Sequence, residues 1–163
     1  MSQHRWQRWN VAYHRWLYQG GRVNRLGKAV YARPVAWLGR LGVLPRLVTL
    51  EVPGRRSGRV VGYPLVVVDE QGERFLVPML GRDSGWVRNV RANGMRATLR
   101  HGRRERVTLV ELAPEPRPCA LLLQRYLELA PGARPHFPVR VSDPVEAFEG
   151  LVERYPIFRV VPV

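Results

Sequence analysis

Apolar residues near the N-terminus recur at helical spacing. Trp6, Trp9, Ala12, Tyr13, Trp16 and Leu17 share one face, with His4, Gln7, Arg8, His14 and Arg15 opposite and only Arg5 out of place. The pattern predicts a helix over 3–18, stopped by Gly20 and Gly21. A second apolar, basic helix is predicted over 23–41, interrupted near Pro34 and closed by Gly42 and Pro45. The middle of the chain reads as β. Strands are predicted over 46–52, 59–68 and 74–79, joined by the turns Pro53–Gly58 and Asp69–Gly72, with Pro64 marking a bulge or an edge in the second. A short helix over 85–93, ended by Gly94, precedes a hairpin of 96–100 and 104–112 across His101-Gly102-Arg103. A helix over 115–129, a loop over 131–138, a helix over 143–154 and a strand over 157–161 complete the pattern. About six mostly antiparallel strands with N-terminal, central and C-terminal helices make an α+β fold, and the order is wrong for a doubly wound parallel sheet.

The length of 163 residues suits a single domain with a real core, residues 1–42 forming a helical N-terminal extension. No repeat or linker divides it. Charge changes the picture. Lys and Arg number 27 against 13 Asp and Glu, a formal net charge of +14, which favours an anionic partner: nucleic acid, a phospholipid surface or a polyanionic small molecule. Cys119 is the only cysteine, which excludes an internal disulfide and a cysteine-based metal site, and the four histidines lack ligand spacing. No run of apolar residues is long enough for a spanning helix, and the N-terminus lacks the apolar core of a secretory signal. A cytoplasmic protein is expected, peripheral on the inner face of the membrane if residues 3–18 bind anionic lipid through their Trp and Arg faces.

Two stretches carry candidate chemistry. Gly54-Arg55-Arg56-Ser57-Gly58 joins two strands and gathers guanidiniums, a hydroxyl and backbone N–H groups. It can cradle a phosphate or carboxylate, or be a plain basic hairpin turn; it is neither a P-loop nor a dinucleotide fingerprint. Gly81 to Asn93 places a helix start just after a strand, with Trp86 and Asn89 three apart. An indole and an amide there suit a planar heteroaromatic ligand, or Trp86 is simply core.

The turn Gly54–Gly58, then Pro64-Leu65, then the Trp86–Asn89 helix continuing Arg91-Ala92-Asn93, resemble in order and spacing the signature of the deazaflavin-dependent nitroreductase and quinone reductase family over 47–99. The terminal stretch Tyr155 to Val160 is similar to the family's last strand. The resemblance implies a split β-barrel and hydride transfer from reduced coenzyme F420 to a small or lipophilic acceptor: a quinone, a nitro compound or an activated alkene. It implies that Arg55, Arg56, Ser57 and Gly58 hold the anionic tail of the deazaflavin. Tyr63, Pro64 and Leu65 would line its ring system. Pro78, Met79, Leu80, Gly81, Trp86, Arg88 and Asn89 would complete the pocket. Split barrels of this kind often pair as homodimers.

Three departures bear on the site, one of them the loop before Trp86, which is shorter than the family's and lacks its usual proline. Pro78-Met79-Leu80-Gly81 stands where the family often has Ala-Ser followed by two glycines, so a serine contact does not carry over. The stretch Pro131 to Pro138 stands where better-studied relatives have tyrosines near the substrate. No paired carboxylates or nucleophile motifs are present, and hydride transfer needs none, because the cofactor supplies the chemistry. A proton for the reduced acceptor could come from His136, Tyr126 or solvent. The competing readings are a split-barrel carrier of deazaflavin, flavin (FMN) or haem, and a basic nucleic-acid-binding protein. The second has no recognised motif, and its arginines spread over the whole chain, so no nucleic-acid partner is expected.

Overall fold

A computed structural model describes residues 45–163; the helices predicted over 3–18 and 23–41 lie outside the described residues. Six strands form a closed barrel in the order β1-β2-β3-β6-β5-β4, every pairing antiparallel. They are β1 (Leu47–Pro53), β2 (Val60–Glu70), β3 (Glu73–Leu76), β4 (Arg96–His101), β5 (Arg103–Glu111) and β6 (Phe158–Pro162). Helix α1 (Gly85–Ala92) links β3 to β4, and α2 (Pro116–Leu129), a 3-10 segment (Pro131–His136) and α3 (Val145–Glu149) lie between β5 and β6. This is the α+β split-barrel architecture expected.

Alternation along the strands divides the apolar residues into two layers. Val48, Leu50, Val52, Val67, Leu76, Leu99, Val107, Leu109 and Phe158 fill the barrel. Val68, Phe75 and Val77, on the opposite pleat, pack with Leu123, Tyr126 and Leu127 of α2 and with Phe148, Tyr155 and Ile157. The strand directions put the Gly54–Gly58 turn, the loop after β3 and α1 at one end of the barrel. The turns at Gly72 and Gly102 are at the other. There Arg74 of β3 donates two 2.7 Å hydrogen bonds to Glu105 of β5, tying strands that are not neighbours in the sheet. The Arg74 guanidinium holds the Glu105 carboxyl below the usual carboxylate value. At the first end α1 acts as a plug, its Trp86, Val87 and Val90 entering the barrel core.

Three boundaries differ from the sequence pattern. β3 stops at Leu76 rather than 79, because Pro78 cannot donate to a ladder. The helix expected over 143–154 shrinks to α3, which ends at Gly150; turns carry the chain to Tyr155. The loop expected over 131–138 contains a 3-10 segment. Pro64 sits in register opposite Thr49, with no bulge. It does fall beside an edge: β2 pairs with β1 over Val60–Val66 but meets β3 only from Val67, so its first half has one open side among the described residues.

Candidate active site

That open side of β2, the turn before it and the start of α1 meet at the plugged end. The turn closes on itself through Gly54 N–H to Arg59 O (2.8 Å) and Gly58 N–H to Gly54 O (2.8 Å), and Gly58 takes φ +65°, a left-handed value that favours glycine. Arg55, Arg56, Ser57 and Gly58 are all exposed. Ser57 Oγ accepts from Arg59 N–H at 3.3 Å and keeps its own proton to give. Arg56 and Arg59 have no acidic partner among the described residues. The exposed side chains of the turn, Arg56, Ser57 and Arg59, therefore offer hydrogen-bond donors and positive charge, the chemistry a phosphate or carboxylate needs.

Behind the turn three residues that are far apart in sequence form one network. Asn89, buried on α1, accepts at Oδ1 from Arg55 twice, from the main-chain N–H (3.3 Å) and from Nη1 (3.1 Å). Its Nδ2 donates to the Tyr63 hydroxyl at 2.9 Å. Tyr63 is half-buried, and burial pushes its phenol above the ordinary tyrosine value while neighbouring Arg55 works against that shift. Gly85, the first residue of α1, is exposed; a Cβ on it would stand 3.5 Å from the Tyr63 hydroxyl oxygen. Pro64 and Leu65 continue the same half-buried edge.

The remaining sequence candidates fall into three groups. Pro78 is buried and Met79 and Leu80 half-buried at the strand end; Gly81 turns there with φ +78°, and a Cβ would meet the Arg154 carbonyl at 3.0 Å, so only glycine fits. A shallow depression of about 460 Å³ is lined by Leu80, Gly81, Arg82, Asp83, Glu153 and Arg154. Arg88 lies on the exposed side of α1, paired with Asp83 at 3.2 Å. Trp86 points into the barrel, 4% exposed, its ring edge-on to Phe158 at 5.1 Å. Tyr126 and His136 belong to the C-terminal layer. Tyr126 is buried beside Phe137, and burial raises its hydroxyl far above the ordinary value; the His136 carbonyl accepts from the Tyr155 hydroxyl at 2.8 Å. Sequence reasoning picked out Arg55, Tyr63 and Asn89 separately and missed both their connection and Gly85. The Gly-Trp pair at the helix start was the available signal. Among the described residues no cluster of His, Cys, Asp or Glu could hold a metal, and no helix is long and apolar enough to cross a membrane.

A small antiparallel barrel with a basic turn beside a half-open strand edge is the form of a flavin- or deazaflavin-type oxidoreductase. The chain belongs to the F420H(2)-dependent quinone reductase family, whose description matches residues 23–142. It is an oxidoreductase that uses coenzyme F420. Among solved structures it is similar to one described as an F420-H2 dependent reductase (FDR-A), at 25% identity over 71% of this chain and 93% of that one, with a TM-score of 0.43. Another, described as a domain-swapped dimer, is 22% identical over 98% and 99%, with a TM-score of 0.46. General stress protein 26 from Bacillus anthracis is 12% identical over 80% and 85%, with a TM-score of 0.45. No curated protein is significantly similar in sequence.

Proposed function

We propose that the protein reduces a lipophilic quinone-type acceptor at the plugged end of the barrel, with nitro compounds and activated alkenes as secondary acceptors. The observation that carries this reading is the adjoining of a turn with exposed arginine and serine side chains and a half-buried Tyr63-Pro64-Leu65 edge, one suited to a polyanionic tail and the other to a planar ring. Bound there, the deazaflavin supplies a hydride; a quinone also takes up one proton from solvent to become the quinol. Arg56, Arg59 and the Ser57 hydroxyl hold the anionic tail. Tyr63, Pro64 and Leu65 line the ring, and Met79, Leu80 and Gly81 bound the far side of the pocket. Tyr126, buried and strongly reluctant to ionise, does not serve as the proton donor.

The test is fluorescence titration of the purified protein with oxidised deazaflavin, FMN and haem, followed by turnover of the reduced deazaflavin with a panel of quinones and nitro compounds. Tight deazaflavin binding, weak FMN and haem binding, and fastest turnover with the quinones are expected. Equal or tighter FMN binding, or binding without turnover of any acceptor, sinks the reading.

A further inference from the structure

We propose that the Tyr63 hydroxyl is a hydrogen-bond donor, aimed by Asn89 and Arg55, for a ring carbonyl oxygen bound beside Gly85. This rests on the function proposed above and adds to it the group that takes the carbonyl. Asn89 and Arg55 are positioning residues in this scheme.

The orientation follows from counting donors. Two N–H groups of Arg55 converge on one side chain atom of Asn89, which must therefore be the oxygen; turning the amide over would set its NH2 against both. Asn89 then has only N–H to offer Tyr63, so the phenol oxygen accepts the 2.9 Å bond and its own proton points elsewhere. No described group accepts that proton, and burial keeps it bound at neutral pH. The space next to the oxygen is left open by Gly85, where any side chain would begin 3.5 Å away. A fixed donor facing open space, at the edge of a half-buried strip, suits the oxygen of a planar ring. That oxygen belongs either to the deazaflavin or to a quinone acceptor, and both share the same chemistry.

Asn89→Asp is the discriminating variant. Aspartate keeps the acceptor oxygens that Arg55 uses but has no N–H for Tyr63, so the phenol donates to the carboxylate and its proton is turned away from the ligand. Tyr63→Phe and Asn89→Asp should each lose the same factor, roughly five- to tenfold for a neutral hydrogen bond, and the double variant should lose no more. Loss in the Kd of oxidised deazaflavin assigns the carbonyl to the coenzyme. Unchanged Kd with lower kcat on menadione assigns it to the acceptor. In the ligand-free protein, absorbance titration against a Tyr63→Phe background should show the Tyr63 phenol ionising at higher pH in Asn89→Asp than in the wild type. Gly85→Ala, at an exposed position that does not threaten folding, should produce a loss in the same constant. If either Tyr63→Phe or Asn89→Asp binds and turns over like the wild type, the proposal is overturned while the proposed function stands. A wild type that neither binds the deazaflavin nor turns over removes both.

Discussion

Arg55 commits its main-chain N–H and one guanidinium nitrogen to Asn89, whereas Arg56, next along and exposed on the same turn, has no partner among the described residues. Adjacent arginines that look equivalent in sequence thus differ in what they can still offer a ligand. Arg56→Ala should weaken deazaflavin binding by about 1.5 kcal/mol, the low end for a charged hydrogen bond because the site is open to water, and should flatten the dependence of affinity on salt. Arg55→Ala should also slacken the hold on Asn89 and lower thermal stability, which Arg56→Ala should not. Titrations at two ionic strengths together with melting curves check both. Identical behaviour of the two variants would mean that the Asn89 contacts carry no weight.

At the scale of elements, α1 does two things with one short stretch. Its Trp86, Val87 and Val90 close the barrel, while Asn89 and Gly85 face Tyr63 at the candidate site. Spacing put Trp86 and Asn89 on one side of the helix, whereas one meets Phe158 and the other Arg55, destinations in distant parts of the chain that local spacing does not reveal. Trp86→Ala should cost about 3–5 kcal/mol of unfolding free energy, as expected for a large buried aromatic, measured by denaturant titration. A loss of deazaflavin affinity with stability unchanged would instead place the indole in the pocket. Strands and hairpins were legible because glycine, proline and polar turns punctuate β-branched runs, as at Gly54–Gly58 and Gly72. The long helix expected before Tyr155 failed where Gly150 ends α3, a stop that the apolar spacing of Val145, Phe148, Leu151 and Val152 concealed. The Arg74–Glu105 clasp and the Arg55–Asn89–Tyr63 network span 31 and 34 residues of sequence, and no local pattern announces contacts of that length.

Across the whole molecule the charge is uneven. Residues 1–44 contain eight Lys and Arg and no Asp or Glu, so more than half of the net +14 lies there, on a stretch that also carries Trp6, Trp9, Tyr13 and Trp16. A sequence that interleaves aromatic residues and arginines suits an anionic lipid interface, where a lipophilic quinone would also be found. The full-length protein should co-sediment with anionic vesicles, less so as salt rises, and should lose that binding when residues 1–20 are removed, with deazaflavin affinity intact. Indifference of the full-length protein to vesicles, together with aggregation or unfolding of the shortened chain, would assign those residues to the fold. The half-open strand described earlier has a cost of its own. Among the described residues Val60–Val66 has on one side a row of main-chain groups without a partner strand, and Val60 is 65% exposed at its start, the ingredients of edge-to-edge aggregation. Pro64 breaks that row by withholding an N–H in its middle. The residue placed on the proposed binding edge is thereby also a safeguard: it denies a stray polypeptide a continuous ladder to climb.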